Sequence, residues 1–130
     1  MKFNIQSIFT TIILILTLNT NFICDQQDLN LTIRNNINGD FSLVKEIKEV
    51  RPGAFININW QEKNLMLPYY PRAKFISFSD KKWDWRYSIN EDGKVNDINP
   101  VLYELLPLGK YIEHKCQISN RWMHMKDQAK

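Results

Sequence analysis

The sequence predicts an all-β, or mainly β, fold: a small antiparallel sandwich or barrel preceded by an N-terminal signal segment. Three observations predict it. Residues Trp83–Ile89 alternate strictly, with Trp83, Trp85, Tyr87 and Ile89 on one face and Asp84, Arg86 and Ser88 on the other. A period of two marks a half-buried strand. Short runs of this kind recur at roughly ten-residue spacing with turn residues between them, the pattern of sandwiches and barrels. The chain also opens on Lys2, an apolar run over Ile8–Leu18 and a polar stop at Asn19–Asn21, the order of a secretory signal.

That order divides the chain into a signal peptide at 1–24, one antiparallel β domain at 25–118 and a C-terminal tail at 119–130. A membrane span needs about 20 mainly apolar residues. Stretching the run to Ile5–Ile23 takes in Gln6, Ser7, Asn19, Thr20 and Asn21, which weighs against an uncleaved anchor. Thr20 is small enough to be the last residue removed, although Leu18 before it is bulky. Cys24 invites lipidation, but Ile23 stands where a lipobox has a small residue. The expected location is beyond the membrane: secreted, periplasmic or in the cell envelope. Membrane contact is expected only through an uncleaved or lipidated N-terminus.

Composition excludes one large class. There are 17 basic and 14 acidic residues, interspersed along the chain. A nucleic-acid binder would cluster its basic residues on one face. The two cysteines, Cys24 and Cys116, are a candidate disulfide if both survive processing in an oxidising compartment. The alternative is a buried, unreactive Cys116 thiol.

Each element follows from local pattern. Leu29–Arg34 alternates and reads as a strand, and Asn35–Asp40 is turn chemistry. Phe41–Val50 is assigned as strand, although Leu43, Val44, Ile47 and Val50 would also line a helix. Arg51–Ala54 fits a type II turn, and Ala54–Trp60 is a strand. Gln61–Asn64 is a polar connector before the short apolar Leu65–Leu67. Pro68-Tyr69-Tyr70-Pro71 is excluded from a central strand, because proline has no donor for the ladder.

Lys74–Phe78, the turn Ser79–Lys82 and the strand Trp83–Ile89 form a hairpin, and Asn90–Gly93 turns the chain again. Lys94–Ile98 is weakly extended, and Asn99-Pro100 breaks it. Val101–Leu106 is a strand or one helical turn, followed by a break at Pro107–Gly109. Lys110–Ile118 alternates again. In the tail, Ile118, Trp122 and Met125 would share a face of a short helix; disorder is the other expectation.

Candidate sites rest on aromatics. If their face is open, Trp83 and Trp85, with Tyr87, make a stacking platform for sugar rings. If it is covered they are core, the commoner fate of aromatics on one strand face. Tyr69 and Tyr70, in the proline-stiffened Leu67–Arg72 loop, would be presented at low entropic cost, or fold back over the sheet end. His114 and Cys116 would face the same way, but zinc needs three or four ligands, so no metal and no cofactor is expected. Neither a nucleophile elbow nor a phosphate-binding glycine loop is present. Asp80 and Asp84 could supply the paired carboxylates of glycoside hydrolysis, but Lys81, Lys82 and Arg86 would more simply neutralise them. The sequence therefore leads to a non-catalytic binding module that contacts a glycan, peptide or protein through Tyr69, Tyr70, Trp83 or Trp85. The alternative is a structural or accessory envelope protein with the aromatic strand as core.

Overall fold

The computed structural model describes residues 20–119. Residues 1–19, where a signal segment is expected, and the tail beyond Ser119, with Trp122 and Met125, lie outside them. Nine strands follow one another: β1 (Thr20–Cys24), β2 (Gln27–Ile37), β3 (Asp40–Leu43), β4 (Phe55–Trp60), β5 (Lys63–Pro71), β6 (Phe75–Ser79), β7 (Trp83–Ser88), β8 (Val101–Leu105) and β9 (Tyr111–Ile118). Their spatial order is β1-β9-β8-β7-β6-β5-β4-β2-β3, and β1 also pairs with β2. That second pairing closes a ring of all the strands except β3. The fold is an eight-stranded, up-and-down antiparallel barrel.

The barrel is filled rather than hollow, as expected for a ring of this strand number. Alternate residues point inward: Leu29, Leu31 and Ile33 from β2, Ile56, Ile58 and Trp60 from β4, Leu67 from β5 and Phe78 from β6. The inward face of β7 is Trp83, Trp85 and Tyr87, and all three are buried. Phe22 and Tyr87 both meet Trp85 edge-on, with centroids 5.4 and 5.7 Å away, the preferred geometry for ring quadrupoles.

β1 closes the seam. Cys24 lies opposite Gln27 of β2 and Cys116 of β9, and the two cysteines are joined in a disulfide with Cα atoms 4.3 Å apart. The β domain therefore takes in Thr20–Cys24 as well as the expected residues 25–118. Without that strand, β2 and β9 would each expose an edge.

Three expectations for local structure change. Phe41–Val50 is not one strand. β3 ends at Leu43, and a 3-10 turn follows at Ile47–Glu49. Asn35 ties this segment down: its Nδ2 donates to the Glu49 carbonyl and its Oδ1 accepts from the Arg51 N–H, both at 2.9 Å. Val44, Ile47 and Val50 then pack on the core and cover one end of the barrel.

The second correction concerns Pro68 and Pro71, which both lie inside β5, a strand paired on two sides. The two pairings are staggered. β5 meets β4 up to Pro68 and β6 only from Tyr69. Tyr69 N–H donates to the Ala54 carbonyl at 2.8 Å, so by alternation the Pro68 nitrogen faces the other edge, before β6 pairing begins. Pro71 lies past the end of β4 in the same way.

The third concerns turns: the expected turn Asn35–Asp40 shrinks to Asn38-Gly39 and the connector Gln61–Asn64 to Gln61-Glu62, because β2 runs on to Ile37, β3 starts at Asp40 and β5 starts at Lys63. Asp25-Gln26, Asn38-Gly39 and Gln61-Glu62 all carry positive φ at both central positions. These are type I′ hairpins, and only Asn38-Gly39 has the residues that advertise one.

Candidate functional site

The outward face of β5 to β9 carries the most distinctive chemistry among the described residues. Strand alternation puts Tyr70 and Arg72 on the outside at the end of β5, Phe75 and Ser77 on β6, Asp84 and Arg86 on β7, Tyr103 on β8, and Tyr111 and Glu113 on β9. Register brings them together. Tyr70 is opposite Ser77, Ser77 opposite Arg86, Asp84 opposite Tyr103, and Tyr103 opposite Glu113.

Asp84 is the base of this cluster. It sits on the outer wall yet is only 2% exposed. Ser77 Oγ donates to its Oδ1 at 2.7 Å. Arg86 donates from Nε and Nη2 to its Oδ2 at 3.0 and 2.8 Å. A carboxylate held this way fixes the guanidinium that lies above it. Arg86 in turn lies over the rings of Phe75 and Tyr103, 4.4 and 4.7 Å from their centroids. Arg72 lies over Tyr70 and Phe75 at 4.8 and 5.3 Å. Tyr103 meets Tyr111 edge-on at 5.4 Å. The result is a belt of alternating rings and guanidinium groups over one buried acid, each stack adding cation–π attraction. Tyr70 and Tyr111 mark its open rim, 55% and 59% exposed. Burial, and after it the neighbouring Glu113 carboxylate, push the Tyr103 hydroxyl pKa up.

The four aromatics singled out in the sequence are not brought together. Trp85 is fully buried and Trp83 nearly so, so closure of the barrel removes the stacking platform. Tyr69 points inward and packs 5.5 Å from Phe78. Tyr70 alone stands at the surface, inside the belt. The other members, Arg72, Phe75, Arg86, Tyr103 and Tyr111, were not singled out. The available signal was the outward position of aromatics and arginines along five consecutive strands.

The remaining polar candidates are occupied. Asp80 Oδ1 accepts from the N–H groups of Lys82 and Trp83, both at 2.7 Å, which shapes the β6–β7 turn. Cys116 is in the disulfide. His114, at the opposite end of the barrel from Val44, places Nδ1 against Asp25 and Nε2 4.0 Å from Glu104. Its ring meets Trp60 edge-on at 4.9 Å, and Lys63 lies over Trp60 and Trp83. This cluster clamps the β1–β2 turn to β9. Among the described residues no group of three or more histidine, cysteine or acidic side chains is placed to hold a metal.

A family model described as a domain of unknown function, DUF8671, matches residues 32–116. No curated protein and no solved structure matches the chain.

Proposed function

The chain belongs to the DUF8671 family, and we propose that it is an exported, non-catalytic binding module whose contact surface is the outer belt of Tyr70, Arg72, Phe75, Arg86, Tyr103 and Tyr111. The observation that carries this reading is the stacking of arginines and aromatic rings over the buried Asp84. Tyrosine and arginine dominate the energetics of protein contact surfaces. A pre-ordered layer of them loses little side-chain freedom on binding. Export is supported by the Lys2 and Ile8–Leu18 pattern and by a disulfide that suits an oxidising compartment. Processing at or before Thr20 would keep Cys24 and the closing strand. A Cys24 bonded to Cys116 has no sulfur left for lipidation.

The test is retention of ligand from the protein's native surroundings by Tyr70→Ala/Tyr111→Ala. Loss of retention with unchanged near-ultraviolet circular dichroism is the expected result. Full retention by the folded double variant removes the belt from consideration.

A second reading is a structural or accessory envelope subunit. The burial of Trp83 and Trp85 favours it, because these two rings then serve as core and not as a ligand platform. It predicts that the native protein migrates within a larger complex, and that the belt variant leaves that complex intact.

A further inference from the structure

We propose that the Arg72 corner of the belt receives a carboxylate carried by an acidic, aromatic-containing peptide segment of a partner protein. The inference rests on the belt being the contact surface. Two arginines share one acid there. The oxygens of Asp84 are taken by Ser77 and by both Arg86 donors. Arg72 Nη2 stands 3.9 Å from Oδ2, outside hydrogen-bond distance, and this is its one polar partner among the described residues. Its fork of donors is therefore unspent, and two guanidinium groups against one carboxylate leave the belt a net positive corner.

Arg72 is also held in place. Its guanidinium lies over Tyr70 and Phe75, so the fork is oriented before any ligand arrives. A planar fork of this kind matches a carboxylate with two parallel hydrogen bonds. At the other side of the belt Glu113 stands beside Tyr103. On that side the outward, exposed Lys115 of β9 stands two residues from Glu113 and offsets its charge, so the unbalanced positive charge of the belt lies at Arg72 and would orient a peptide with its acid toward that corner.

A neutral glycan fits less well. Sugars need free ring faces, and here the faces of Tyr70, Phe75 and Tyr103 carry guanidinium groups. What the belt offers outward is guanidinium donors, ring edges and tyrosine hydroxyls. These complement a carboxylate with an aromatic neighbour. The outer wall of a barrel is also convex, which suits an extended segment better than a small molecule that needs a cleft.

The experiment measures binding of the whole domain to three fluorescent probes: a hexapeptide alternating glutamate and phenylalanine, the same peptide with glutamine for glutamate, and oligogalacturonate. The expected result is a preference of about tenfold for the glutamate peptide, the size of one hydrogen-bonded charge. Arg72→Gln should erase that preference, and Arg72→Lys should restore part of it. Arg72 is half-exposed and lies outside the core, so both variants are expected to fold. Equal binding of the two peptides, a preference that survives Arg72→Gln, or no binding of the glutamate peptide overturns the inference. Arg72-dependent binding of oligogalacturonate in place of the peptides overturns it in favour of an acidic glycan. Tyr111→Ala separates the two levels. If it weakens both peptides while the carboxylate preference is absent, the belt stands and only this inference falls. If it changes nothing, the belt falls as well.

Discussion

Asp84 shows how one residue organises the surface. On the strand pattern it looks like any outward aspartate. In the fold it is buried under the groups it binds, and its removal would leave Ser77 and Arg86 without their acceptor. Asp84→Ala should therefore cost about 2–3 kcal/mol in urea unfolding and free the Arg86 ring stacks. Two tyrosines give the molecule a pH dependence at the alkaline end. Burial raises the pKa of Tyr87, and burial with Glu113 raises that of Tyr103. For both, the unfolded chain ionises first, near pH 10. Stability is therefore fully present below about pH 10 and falls as pH rises through the window above it. Tyr87→Phe should flatten that fall by up to one proton's worth, about 1.4 kcal/mol per pH unit, in unfolding measured across the range. Glu113→Gln should bring the Tyr103 titration back toward its ordinary value.

At the scale of elements, β1 and the hairpins carry the predictions. The disulfide closes a loop spanning a sequence separation of 92. Replacing Cys24 and Cys116 together by alanine should lower stability by about 4–5 kcal/mol on the chain-entropy account. A loss under about 1 kcal/mol would mean that the β1 hydrogen bonds alone hold the seam. The Gln61-Glu62 turn holds two side-chain-bearing residues at φ of 51° and 61°. Replacing the pair with Asn-Gly should stabilise the protein by about 1 kcal/mol, because that pair adopts left-handed backbone at less cost. These elements also show what alternation reveals and what it hides. β7 and β9 could be read directly, since apolar and polar residues trade places along Trp83–Ser88 and Tyr111–Ile118. β5 could not be read in full, because its prolines are tolerated only through the stagger between β4 and β6. The 3-10 turn at Ile47–Glu49 was hidden for a similar reason: it is held by Asn35, a distant residue.

For the whole molecule, the pattern of short strands pointed to a sandwich or a barrel and left the choice open. Closure depends on Thr20–Cys24, which pairs with both β2 and β9 and begins one residue after the apolar run Ile8–Leu18, so its sequence reads as the end of a signal. The belt was hidden by the same non-locality. Tyr70 stood out through its flanking prolines, whereas Arg86, Tyr103 and Tyr111 become neighbours only when the registers of β7, β8 and β9 are set. On the proposed function, this belt is where the molecule meets its partner. The most direct measurement places a photo-crosslinking amino acid at Tyr70, at Tyr111 or, as a control, at the exposed Glu62, in the cell that makes the protein. The expected result is one discrete adduct from positions 70 and 111, none from position 62, and loss of the adduct when Arg72→Gln is added. The same adduct from position 62, or none from 70 and 111 in folded protein, would contradict it.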